Sequence, residues 1–156
     1  MFDPYLLAKL VHIFAISIMI GATLINGLIH GQAKTASPVE AAGLLRCVVL
    51  VNRLLMGPSL AVIVLTGFLL VHTLGYDLWS GWIATSVGTS LTLILAFVVG
   101  ARVEHRMLDI AILAAAKADM RLPTNYQRVF LQAVPIGLLA LILSLLTLAL
   151  MIFKPF

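Results

Sequence analysis

The chain has 156 residues, of which 62% are hydrophobic and 10% are charged, and it carries a formal net charge of +4. Soluble domains have roughly 25% charged residues, so this composition excludes an ordinary soluble protein and indicates an integral membrane protein. The basic residues lie beside apolar segments instead of forming a soluble patch, which argues against nucleic acid as a partner. The single cysteine, Cys47, excludes an internal disulfide and a cysteine metal cluster within one chain.

The first apolar stretch, residues 6–29, has no charge after Lys9. At about 1.5 Å per residue it crosses the ~30 Å hydrocarbon core of a bilayer, so we predict a transmembrane helix that starts near Asp3 and Pro4. Its start lacks the positive charge of a cleavable signal. Several of its residues follow steps of three and four, and this stripe should face other helices or a cofactor. The stripe contains Lys9, His12, Ile16, Met19, Thr23, Asn26 and His30.

The second span is predicted at residues 54–74, after a break at 31–38 that contains Gly, Thr, Ser and Pro. The mixed segment 39–53 between them is interpreted as a continuation of the second helix. Gly57-Pro58 near the start of the span predicts close packing or a kink, and Gly75 should end the helix.

The third and fourth spans are predicted at residues 83–103 and 125–153. Between them, residues 102–119 contain no helix breaker, so we expect the third helix to project from the membrane as a charged extension. Pro135 predicts a kink in the fourth helix.

Four spans predict a single all-α domain, residues 1–156, built as an integral membrane four-helix bundle. Eight of the ten Lys and Arg residues lie in the loops between spans one and two and between spans three and four, and only Lys9 and Lys154 lie on the other side. The positive-inside rule then places the basic loops and the long helix extension in the cytoplasm. Both termini would lie on the non-cytoplasmic side of a bacterial-type inner (plasma) membrane.

His12 is the first candidate for chemistry because it lies about two turns, roughly 10 Å, inside the first helix. A neutral imidazole there can bind haem iron, carry protons or form hydrogen bonds across the bundle. The remaining histidines lie near helix ends, where contact with water or head groups is expected; they are His30, His72 and His105. Arg53 is placed to hold a carboxylate or propionate, or to reach lipid phosphates. No phosphate loop, zinc-protease motif or nucleophile elbow occurs, so hydrolytic chemistry has no support.

Polar residues at three-four steps on the other spans are interpreted as helix-packing contacts. On the second span they are Asn52, Met56, Ser59 and Thr66, and on the third they are Trp82, Thr85, Thr89 and Thr92. Gln132 and Pro135 form a shorter pair on the fourth span.

Three segments, taken in order, resemble a superfamily of small four-helix membrane proteins. They are AKLVHIF at 8–14, NRLLMGP at 52–58 with Thr66-Gly67, and the final helix from Tyr126-Gln127-Arg128 through Ala133-Val134-Pro135 to Lys154-Pro155-Phe156. The superfamily includes the oxygen-independent, haem-binding type of protoporphyrinogen IX oxidase, the membrane domain of copper-resistance proteins, and a sister group of predicted integral membrane proteins.

The resemblance implies that His12 is the haem iron ligand, as in the first helix of the oxidase type. Lys9, Arg53 or Gln132 would then lie near the porphyrin, with His72 as the other histidine in the outer half of the bundle. The chain departs from the oxidase where Trp82-Ile83-Ala84-Thr85-Ser86 and Leu131-Gln132 replace a lysine and an Asn-Glu pair. These departures make it more similar to the sister group.

The sequence thus leaves two main hypotheses of different class. The first is a haem-b membrane redox protein, an oxidoreductase that exchanges electrons with a quinone or a partner chain. The second is a non-catalytic membrane subunit or scaffold, as a homo-oligomer or within a larger complex. A copper or other cation pathway is a third, weaker option, because the Met and His residues are not paired at ligand spacing.

Overall fold

The computed structural model describes residues 3–77 and 79–153, and every regular element within these ranges is a helix. The elements are α1 (Pro4–Ala33), α2 (Pro38–Val51), a π-helical turn (Asn52–Met56), α3 (Gly57–Leu74), α4 (Gly81–Ala116) and α5 (Thr124–Phe153). Helix α2, the π turn and α3 form one continuous helix, so the described residues contain four long helices. Each of the four is long and apolar enough to cross a membrane. The predicted all-α, four-span architecture is confirmed. The predicted end at Lys154-Pro155-Phe156 lies outside the described residues.

The helix ends follow local capping chemistry. The Asp3 side chain accepts a hydrogen bond from the backbone N–H of Tyr5 at 2.9 Å and caps α1. At the start of α2, the backbone N–H of Ser37 donates to Glu40 Oε2 at 3.0 Å, and the N–H of Glu40 donates back to Ser37 Oγ. Gly75 ends α3 in the left-handed conformation, with φ +66°, which a glycine adopts without strain. The predicted breaks at 31–38 and Gly75 are therefore confirmed, the first one shortened to residues 34–37.

The segment 39–53 continues into the second span as predicted. Where α2 meets α3, the N–H of Gly57 donates to the carbonyl oxygen of Asn52, five residues earlier. The next residue, Pro58, has no N–H and therefore needs no acceptor in the helix. A Cβ atom added at Gly57 would lie 3.3 Å from that oxygen and 3.5 Å from Cζ of Phe97 on α4. Gly57 therefore permits the close packing that the Gly-Pro pair predicted.

One hydrophobic core lies at the basic end of the bundle. It joins α1 and α2 to α4 and α5 through buried Ala33, Ala41, Leu45, Val103, Met107, Ala111 and Tyr126. The predicted continuation of the third helix beyond residue 103 is confirmed, since α4 runs to Ala116. The extension does not stand alone: its apolar residues recur at helical spacing and pack against α2, which buries them.

A second core lies towards the other end, where Ala15, Ile16 and Met19 of α1 meet Leu60 and Ile63 of α3 and Leu93 of α4. The polar stripe of α1 faces inward as predicted, since His12 and Asn26 are both buried. Lys9 is the exception. Its side chain is exposed and its Nζ lies 5.9 Å from the ring centroid of Tyr5, because a lysine near a helix end extends to the surface. Helix α5 runs through Pro135, and the predicted kink there stays a prediction.

Replacing Gly57 should destabilise the bundle. In Gly57→Leu the new side chain overlaps the Phe97 ring and the Asn52 carbonyl group, and such overpacking typically costs about 1–3 kcal/mol. Gly88→Leu is the control, because no atom lies within 4 Å of a Cβ added there. Thermal unfolding of both variants in detergent checks this, and equal midpoints would contradict it.

Candidate functional site

Four polar side chains from three parts of the chain form a hydrogen-bonded group inside the bundle, which we call the polar cluster. Asn26 Nδ2 donates to Asn52 Oδ1 at 2.8 Å, and Asn52 Nδ2 donates to Glu104 Oε2. The other oxygen of that carboxylate, Glu104 Oε1, lies 3.1 Å from His30 Nε2. Because water is scarce among membrane helices, polar groups there must find partners in the protein, and these four find one another.

The helices place the cluster in three ways. Asn26 and His30 are four residues apart and therefore share one face of α1. Asn52 is the first residue of the π turn. A π turn contains one residue more than an α-helical turn, so side chains in it point in directions that differ from those of a regular α-helix. Glu104 lies on α4, where it follows Phe97 and Gly100 on the inward side.

Two buried atoms of the polar cluster have no hydrogen-bond partner: Asn26 Oδ1 and His30 Nδ1. Because His30 Nε2 faces a carboxylate, it is the nitrogen that donates, and Nδ1 of the neutral ring is then an acceptor. Asn26 Oδ1 is an acceptor as well. A buried acceptor without a partner costs roughly 1–3 kcal/mol, so the cluster is suited to a ligand that donates hydrogen bonds.

A cavity of about 580 Å³ lies between α1, α3, α4 and α5, and all four residues of the polar cluster line it. Along α1 it extends from Met19 to Gly31, about 18 Å at 1.5 Å per residue. Its volume is within the ~300–1,000 Å³ that is usual for small-molecule sites.

Away from the polar cluster the cavity is largely apolar, with Leu60, Leu93, Phe97 and Phe130 in its wall. The hydroxyl groups of Thr23 and Ser144 also line it, but each donates to a carbonyl oxygen of its own helix. The cavity thus has one polar end and a long apolar remainder, the shape and polarity of a site for an amphipathic molecule.

His12 lies outside this cavity, in a separate contact between α1, α3 and α5. It is 4% exposed, with Nδ1 2.7 Å from Thr66 Oγ1 and Nε2 3.4 Å from Met151 Sδ. Since the Thr66 hydroxyl donates to the carbonyl oxygen of Val62, its oxygen accepts from His12 Nδ1. The inward orientation predicted for His12 is confirmed.

The surroundings of His12 do not fit a haem ligand as they are arranged. An axial histidine needs one ring nitrogen free to face the iron. Here Nδ1 is bonded to Thr66, and the Met151 thioether covers Nε2. Iron ligation by His12 would require the Met151 side chain to move.

The other residues predicted to bind a cofactor do not join His12. Lys9, Arg53, Gln132 and His72 all have exposed side chains, and the hydrogen-bonding partners of His12 are Thr66 and Met151 instead. His72 lies six residues beyond Thr66, about 9 Å further along α3. The structure therefore does not bring the predicted set together, and their part in cofactor binding stays a prediction.

Sequence reasoning missed one member of the polar cluster, Glu104, and gave two expectations for another. His30 belongs to the stripe of α1 that was predicted to face inward, and this is confirmed, since its side chain is only 12% exposed and pairs with Glu104. The other expectation, that His30 meets water or head groups, is wrong. Glu104 was not singled out, although a signal existed. The positions 93, 97, 100 and 104 advance by four, three and four, so Glu104 continues the inner face of the third span.

A family model described as predicted integral membrane protein (DUF2269) matches residues 6–155. The chain belongs to this family. The match covers nearly the whole chain, including the residues of the polar cluster and of the cavity. The match supports the membrane nature of the chain and adds no support for haem or protoporphyrinogen. No curated protein and no solved structure matches the chain.

Proposed function

We propose that this protein binds a lipophilic molecule with a hydroxyl head group, of the quinol class, in the cavity between α1, α3, α4 and α5. The observation that carries the proposal is the polar cluster with its two unpartnered acceptors, at one end of an otherwise apolar cavity. A ring hydroxyl would donate to Asn26 Oδ1 or His30 Nδ1. The ring and its tail would lie along the apolar wall, beside Phe97.

The charge and hydrogen-bonding capacity of the cluster favour the reduced form of such a molecule. A quinone offers only acceptor oxygens, whereas His30 Nε2 and one of the two N–H groups of Asn52 are already engaged with Glu104. The side-chain amide nitrogen of Asn26 is engaged with Asn52 Oδ1 and Met56 Sδ. A quinol offers donors, which are what the unpartnered atoms accept. An anionic head group is disfavoured, because it would be buried beside the Glu104 carboxylate.

We also propose that the protein lies in a bacterial-type inner membrane, with the basic end of the bundle in the cytoplasm and both termini outside. The exposed basic residues, which lie at the same end of the bundle as α2, support this orientation. They are Lys34, Arg46, Arg53, Arg102, Arg106, Lys117, Arg121 and Arg128. In this orientation the polar cluster lies in the cytoplasmic half of the bundle.

Binding of haem b by His12, with electron exchange to a quinone or a partner chain, is a second proposal. Its support is the superfamily resemblance of residues 8–14 and the inward orientation of the buried His12 ring, and it requires the Met151 side chain to move away from Nε2. A non-catalytic role, as a homo-oligomer or as a subunit of a larger membrane complex, is the alternative if neither ligand binds.

The quinol proposal is tested with the purified protein and a short-chain benzoquinol that is kept reduced. Asn26→Leu and His30→Leu each remove one acceptor and should weaken binding about 2–10-fold, which corresponds to about 0.4–1.4 kcal/mol. Thr23→Val is the matched control, because its hydroxyl lines the cavity but already bonds to Met19 O. Dissociation constants from equilibrium dialysis, with unfolding midpoints as a check of the fold, decide the matter. Tighter binding of the oxidised form would contradict the assignment.

The haem proposal is tested by the Soret band after incubation of the purified protein with haem. Met151→Ala uncovers His12 Nε2 and should raise haem uptake, whereas His12→Ala should abolish the band. Met120→Ala is the control, since Met120 is 91% exposed and lies between α4 and α5. No Soret band in any of these proteins would rule out His12 as an iron ligand.

The orientation is tested with the native thiol of Cys47, which is exposed on α2. A membrane-impermeant maleimide should label inverted membrane vesicles and leave right-side-out vesicles unlabelled. Cys47→Ser gives the background. Labelling of right-side-out vesicles alone would reverse the proposed topology.

A further inference from the structure

The wall of the cavity includes residues that face outward, and they belong to only two helices. Among the described lining residues, those classed as exposed are Leu24, Gly27, Leu28 and Gly31 on α1 and Val134, Gly137 and Leu138 on α5. The lining residues of α3, α4 and the π turn are buried or half-buried. The cavity is therefore open sideways between α1 and α5, and we call this gap the lateral opening.

Glycines account for the gap. A Cβ atom added at Gly27, Gly31 or Gly137 would meet no atom within 4 Å, so each of these positions leaves space that a side chain would fill. Further along, α1 and α5 do touch, where His12 meets Met151. Helices α1 and α5 are thus in contact near His12 and Met151, and a gap separates them near Gly27, Gly31 and Gly137.

The rim of the lateral opening is apolar. Leu28 is 73% exposed and Leu138 is 58% exposed, and no charged residue is among the outward-facing lining residues of the described chain. Both leucines lie within stretches whose composition suits the membrane interior. The rim therefore faces acyl chains in the leaflet on the basic side of the bundle, and a water-soluble molecule has no polar path through it.

We propose that the cavity is filled sideways from the lipid, through the lateral opening, by a membrane-dissolved lipophile whose head reaches the polar cluster. The identity of the head rests on the proposed function, but the route does not. The glycines of the rim set the width of what enters, so a single hydrocarbon chain or a flat ring passes and larger side chains at these positions block it. Acyl chains of ordinary phospholipid are then able to sample the cavity when no other ligand is present.

The route is tested in proteoliposomes made of phosphatidylcholine that carries a photoreactive diazirine on one acyl chain. After illumination, mass spectrometry compares two neighbouring positions of α4. Leu95 is 63% exposed and faces lipid, whereas Leu93 is 6% exposed and lines the cavity. We expect label at both positions in the unmodified protein.

Blocking the opening should remove only the inner label. In Gly27→Leu and in Gly137→Leu, labelling of Leu93 should fall at least fivefold relative to Leu95. Gly21→Leu is the matched control on α1: it too has free space around an added Cβ, but it does not line the cavity, so labelling should be unchanged. Two blocking variants on different helices keep the test decisive if one of them folds poorly.

Label at Leu95 without label at Leu93 in the unmodified protein would overturn the proposal, whether the gap is closed or is covered by a second copy. Persistent labelling of Leu93 in the blocked variants would overturn it too, because the chains would then enter elsewhere. If Leu93 is labelled as expected but the benzoquinol does not bind, the lateral route stands and the head-group assignment fails. Binding of the quinol without label at Leu93 would reject the route alone.

Discussion

The interior of this bundle depends on one carboxylate. Glu104 is held away from bulk water, and it is stable there because His30 and the amide of Asn52 each donate to one of its oxygens. Removing either donor would leave the Glu104 carboxylate, whose side chain is 14% exposed, with a single partner and a less fully compensated charge. The carboxylate thus ties α1, the π turn and α4 together, and it fixes the polar end of the cavity.

The backbone around Asn52 is adapted to this contact. A regular helix would carry the α2 register unchanged into α3, and the π turn inserts the one residue that lets α2 pack on α4 while α3 packs on α1. Gly57 completes the arrangement by allowing the Phe97 ring to approach the turn. The same region therefore supplies both the polar contact and an aromatic part of the cavity wall, which explains why they lie side by side.

Much of the fold followed from sequence patterns, and the candidate site followed only in part. Helix ends were predictable because Asp3, Ser37 and Gly75 act on neighbours within a few residues. The inward stripe of α1 was predictable from spacing. The partners across it were not, since His12 meets residues 54 and 139 positions away, and such pairing depends on helix register. Glu104 was overlooked because its charged neighbours in the sequence suggest a solvent-exposed position. Its partners, His30 and Asn52, lie far away in the sequence, and no local pattern reveals them.

The continuous helix Pro38–Leu74 has 37 residues and α4 has 36, so each measures about 54 Å and exceeds the ~30 Å hydrocarbon core by some 24 Å. Much of this surplus lies on the basic side, where α2 and the end of α4 share the core that contains Leu45 and Met107. The molecule is therefore asymmetric across the bilayer. On one side a short turn joins two helices, and on the other a packed helical platform rises from the head groups and offers a rigid, positively charged surface to the aqueous compartment.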